Sequence, residues 1–88
     1  MPAYRSLSVI SADIRRHWPS INYAAEPYRV AMAGLDKLSD TYACDSADSI
    51  VRYFLCNAGS WRGPEAKRIK TELNAMLAGK PVPEVAGA

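Results

Sequence analysis

Between Ala47 and Ala58 the apolar residues Ala47, Ile50, Val51, Phe54, Leu55 and Ala58 recur at i, i+3, i+4, i+7, i+8 and i+11. That spacing places them on one face of an α-helix and is incompatible with the two-residue period of a strand. It is the strongest periodic signal in the chain and predicts the central core helix. Asp45 or Ser46 can cap its start, pairing in a box-like way with Asp48 or Ser49. Gly59 is placed to stop it. Ser49, Arg52 and Cys56 fall on the opposite face, flanked by Tyr53.

Three further stripes follow the same rule. Leu7, Ile10, Ile14 and Trp18 predict a first helix over about Ser6 to His17, capped by Ser6 or Ser8 and ended by Pro19. A second helix starts between Asn22 and Glu26, with Pro27 in its first turn. Its stripe is Tyr28, Ala31, Met32, Leu35 and Leu38. Gly34 interrupts that stripe, which implies close approach of a neighbouring helix as compensation for about 1 kcal/mol of lost propensity. The segment from Ser39 to Asp45 reads as a loop. A fourth helix begins at Ser60 or Gly63, with Pro64 in its first turn, and buries Ala66, Ile69, Leu73, Met76 and Leu77 before Gly79 terminates it.

No stretch alternates in the manner of a strand between turns. The expectation is an all-α fold: a compact bundle of three to four short helices, one domain over residues 1–79, with a flexible tail over residues 80–88. An apolar fraction of 49% argues against wholesale disorder, while 88 residues leave little volume for a cofactor pocket.

The inventory for catalysis is thin. His17 is the one histidine, beside Trp18 and Pro19 at a helix end, where a satisfied or exposed cap is its ordinary role. Cys44 and Cys56 lack the spacing of a redox motif or a zinc site and are too few for a disulfide scaffold. Asp36, Asp40, Asp45 and Asp48 do not follow the order of a calcium loop. The expectation is therefore no enzyme, no metal and no cofactor. The N-terminus has no apolar core behind a basic region, and no apolar run approaches the ~18 residues of a membrane span. A cytoplasmic protein with reduced thiols, not associated with membranes, is the plain expectation.

Charge and aromatics carry what functional signal there is. The net charge is +2, but the segment from Asp36 to Asp48 is acidic and the segment from Arg62 to Lys80 is basic. Of Trp18, Tyr23, Tyr28, Tyr42, Tyr53, Phe54 and Trp61, most belong to the core, and Tyr53 and Trp61 are expected to protrude. Arg52, Tyr53, Trp61 and Arg62 then form a partner-binding patch of the residue types enriched at hot spots. The alternative partner is nucleic acid, held at its phosphates by Arg62, Lys67, Arg68 and Lys70. Against it stands modest basicity, and the basic face could instead pair with the acidic loop. The aromatic surplus also suits a symmetric homodimer.

Tyr42-x-x-Asp45-Ser46-Ala47-x-x-Ile50-Val51-x-Tyr53-Phe54-Leu55-x-Asn57-Ala58-x-x-Trp61-Arg62-Gly63, followed by Ala66 and Ile69-Lys70-x-Glu72-Leu73, resembles small proteins of bacterial plasmids and other mobile elements. Ile21-Asn22-Tyr23-Ala24-Ala25 with Pro27-Tyr28 extends the resemblance over most of the chain. The group brings no established activity, so no residue role carries over. It implies an accessory job such as plasmid maintenance, transfer or blocking host defence, performed by binding a host or element protein as adaptor or inhibitor.

Overall fold

A computed structural model of the chain describes residues 4–42 and 45–82. Four helices carry most of them: α1 (Leu7–His17), α2 (Glu26–Ala33), α3 (Ala47–Cys56) and α4 (Pro64–Ala78). Two residues on each side, β1 (Thr41–Tyr42) and β2 (Asp45–Ser46), pair antiparallel just ahead of α3. The protein is thus a small all-α bundle, as the four stripes require.

Local chemistry sets the helix ends. Ser6 Oγ accepts the Ser8 N–H at the start of α1. The same Ser8 N–H also reaches the Leu35 carbonyl, and one more orphan donor, the Leu7 N–H, reaches the Asp36 carbonyl, both at 2.9 Å. The chain leaving α2 therefore closes the start of α1. Ser46, not Asp45, caps α3 by accepting the Ser49 N–H at 3.2 Å. Gly63 precedes α4 at φ +111°, and Gly79 follows it at φ +69°, left-handed values that cost a residue with Cβ roughly 1–2 kcal/mol.

Two boundaries differ from the sequence expectation. α2 stops at Ala33 and Gly34 is its exposed C-cap, so no helix packs closely on that glycine. Leu35 still reaches the core from the loop beyond. α3 stops at Cys56, three residues before Gly59, because Asn57 ends it: the Asn57 side chain donates to the Tyr53 carbonyl at 2.8 Å. Asn22 Nδ2 then binds the Asn57 carbonyl at 3.0 Å and ties the loop before α2 to this turn. In the expected tail, Lys80 is held by its backbone: its N–H reaches the Ala75 carbonyl, and its carbonyl accepts from Tyr4 Oη at 2.8 Å. Residues 83–88 lie outside the described residues.

The helices close a ring, with α1 against α2 and α4, and α3 against the same two. α3 is one wall of that ring and not its axis. Inside lie Leu7, Ile10 and Ile14 of α1, Met32 of α2, Val51 and Phe54 of α3, and Ile69 and Leu73 of α4. Trp18 from the α1–α2 connection and Trp61 from the α3–α4 turn stack in parallel with centroids 5.2 Å apart, and Phe54 meets Trp18 edge-on at 6.3 Å. This aromatic trio joins the ends of α1 and α3 to the start of α4.

Candidate interaction surfaces

The expected patch of Arg52, Tyr53, Trp61 and Arg62 does not assemble. Trp61 is 4% exposed, so the expectation that it protrudes is corrected: stacking on Trp18 removes it from solvent. Tyr53 does protrude, at 52% exposure. Arg52 is exposed beside it and bridges to Asp48 one turn earlier, at 3.0 Å. Arg62 is exposed in a different groove.

Two surfaces result. The first is an apolar groove between α2 and α3, lined by Pro27, Tyr28, Ala31, Ile50 and Tyr53, with Asp45 at its edge. Tyr28 and Tyr53 lie 5.5 Å apart with rings tilted by 32°. Tyr28 is half-buried and Ile50 buried, so the groove has an apolar floor and one raised aromatic wall. The sequence stripe assigned Tyr28 to the core alone, because periodicity identifies a face but not where that face reaches the rim.

The second surface runs along the outer side of α4 over the buried Trp61, and includes Arg62, Lys67, Lys70, Thr71 and Asn74. Arg62 and Lys67 are exposed and have no ion-pair partner among the described residues. Lys70 donates to the Trp61 carbonyl at 2.6 Å. Burial, and after it the neighbouring Arg62, push its ammonium below the usual lysine range.

Arg68, the fourth cation expected at nucleic acid, is not on that surface. It turns toward α1, where Nη2 lies 3.0 Å from Asp13 Oδ2 and 2.6 Å from Glu65 Oε2. The same cluster contains Arg5, bound through two nitrogens to Glu72 and 3.1 Å from Asp13. His17 lies in it too, with Nε2 at 3.2 Å from Asp13 and 3.3 Å from Glu65. The basic helix thus pairs with α1 rather than with the acidic loop. Helix α4 sorts its charges by face, with Glu65, Arg68 and Glu72 inward and Lys67 and Lys70 outward, and that sorting is invisible in a segment's net charge.

His17 is therefore placed as a bridge between carboxylates. Cys56 is exposed, and Cys44 lies outside the described residues. Among the described residues no three His, Cys, Asp or Glu side chains gather around a metal-sized site, and no helix is long and apolar enough to cross a membrane. Asp40, one of the four aspartates weighed as cation ligands, accepts the N–H groups of Asp36 and Lys37 at 3.0 Å each and organises its own turn.

The carboxylates set the acid response. Burial, the largest single influence on Asp13, pushes its carboxyl up, but hydrogen bonds from Arg68 and Arg5 together outweigh it and leave it below the usual range. The Arg29 guanidinium lowers Glu26. A carboxyl lowered by folding stabilises the protein above its unfolded pKa of about 4, and that contribution is lost as pH falls through the folded value. Tm is therefore expected to hold from pH 7 to about 5 and to fall below about 4. In a thermal series over that range, Asp13→Asn should flatten the acid limb; an acid limb of unchanged steepness in the variant refutes the assignment.

Compared with known protein families, with curated proteins and with solved structures, the chain matches none.

Proposed function

We propose that this protein is a small non-enzymatic interaction module that docks another protein on the groove between α2 and α3. The observation that carries the reading is Tyr53, left 52% exposed in a domain that buries Trp18, Phe54 and Trp61. A large aromatic retained at the surface beside an apolar floor is the composition of a hot spot, and the adjacent Arg52 belongs to the same enriched set. An adaptor or inhibitor serving a mobile element suits the resemblance noted in the sequence, since that kind of job needs binding and no turnover. A binding role also suits a chain whose one histidine is committed to Asp13 and Glu65.

The test is a photo-crosslinking residue placed at position 53 and, in a second variant, at exposed Ala12 on α1. Irradiation in a bacterial host is expected to give a discrete adduct from position 53 and none from position 12. Adducts of equal yield at both positions would refute the reading, and an adduct at twice the chain's mass would replace it with self-association. With the captured protein in hand, Tyr53→Ala should weaken binding by about 30-fold, the effect of a 2 kcal/mol hot spot. Its own stability should change by less than about 1 kcal/mol, because half the ring is already in water.

A further inference from the structure

We propose that the outer face of α4 and the turn before it, bearing Arg62, Lys67, Lys70, Thr71 and Asn74, bind the phosphate backbone of a nucleic acid. The first argument is charge left unanswered. The groove is lined by three cations and no carboxylate, because Glu65's ion pairs and those of Glu72 are spent on Arg5, His17 and Arg68. Arg62 and Lys70 are close enough for one to depress the other's protonation. A polyanion laid along this face removes that repulsion, which water alone only screens.

Geometry supplies the second argument. Lys67, Lys70, Thr71 and Asn74 stand at i, i+3, i+4 and i+7 and so share one side of a 15-residue helix. From Gly63 to Lys70 the helix advances about 10 Å, over which one nucleic-acid strand presents about three phosphates, matching the three cations. Thr71 and Asn74 add a hydroxyl and an amide beside them, groups that can bond to phosphate, sugar or a base edge. An anionic membrane fits less well. Among the described residues the large exposed apolar side chains are Val9, Tyr23, Val30 and Tyr53, none of which lies in this groove, while Trp61 beneath it is 4% exposed. The surface is separate from the Tyr53 groove, so either inference stands or falls without the other.

The experiment is fluorescence anisotropy of a labelled 20-nucleotide strand and of its duplex, titrated with the intact protein from 50 to 200 mM salt. Three phosphate contacts on a duplex predict affinity falling by about 40-fold across that range. Arg62→Glu with Lys67→Glu, both exposed and outside the ion cluster, should abolish the signal at 50 mM while the circular dichroism spectrum stays helical. Tyr53→Ala should bind like the parent. No anisotropy change at 50 mM, or affinity retained within twofold by the double variant, overturns the proposal. So does displacement of the strand by polyglutamate of equal charge at equal concentration, since the face would then be a general anion surface.

Discussion

Trp61→Ala is expected to destabilise the protein by about 4 kcal/mol, within the range for removing a buried aromatic. A chain of 88 residues has a total stability of only about 4–13 kcal/mol, so the substitution removes between about a third and nearly all of it. The size follows from where the ring sits. Trp61 fills space beside Trp18, stacked at 5.2 Å, and Trp18 in turn supports Phe54. Its loss also frees the Trp61 turn, whose carbonyl anchors Lys70. Urea denaturation followed by circular dichroism measures the change. A loss below about 1 kcal/mol, of the kind expected for Tyr53→Ala, would return Trp61 to the surface and restore the patch first expected from the sequence.

The second large effect concerns Arg29, a cation 7% exposed in the interface of α1 and α2. Its guanidinium pairs with Glu26 through Nε at 2.9 Å and through Nη2, and its Nη1 reaches Ser11 Oγ at 3.3 Å. Ser11, fully buried, donates in return to the Arg29 carbonyl at 2.7 Å. Glu26→Ala strands that cation, and breaking a buried pair from one side costs about 3–5 kcal/mol. The low end applies here, because the Glu26 side chain is partly open to water. Removing both charges costs less than removing one, since no buried ion is left unmatched. Glu26→Gln with Arg29→Met should therefore unfold at higher urea than Glu26→Ala alone. The reverse order would mean that Arg29 finds water or another acceptor in the folded state, and the buried-pair argument would fail.

Both effects mark the limit of reading a periodic pattern. A stripe at helical spacing identifies apolar residues that must share a face, and each stripe here holds a helix, although α2 ends before Leu35 and Leu38 of its own stripe. It says nothing about a polar residue drawn into the same interface. Ser11, Arg29 and Glu72 are buried because partners elsewhere in the chain satisfy them: Ser11 and Arg29 each other, and Glu72 the distant Arg5. Of these contacts only the Glu26–Arg29 spacing of three could have been suspected from sequence, as a pair on one helix turn. Helix ends followed a similar rule. Pro19, Pro64 and Gly79 act through their own backbone and were legible. The stop at Asn57 depends on a side chain folding back on Tyr53, and Gly34 ends α2 where the apolar stripe runs on to Leu35.

The surfaces divide in the same way. Sequence by itself determined the fold class, the apolar set of α1, α3 and α4, the exposure of Tyr53 and the basic character of the last helix, because each follows from the residues along one element. Only the tertiary structure decided that Trp61 is core, that Tyr28 joins Tyr53 at a groove, and that Arg68 answers Asp13 while Arg62, Lys67 and Lys70 share one face. Those outcomes depend on which helix lies opposite. A residue's spacing fixes its direction from its own axis, and its solvent and charge partners are set by the neighbour that direction meets.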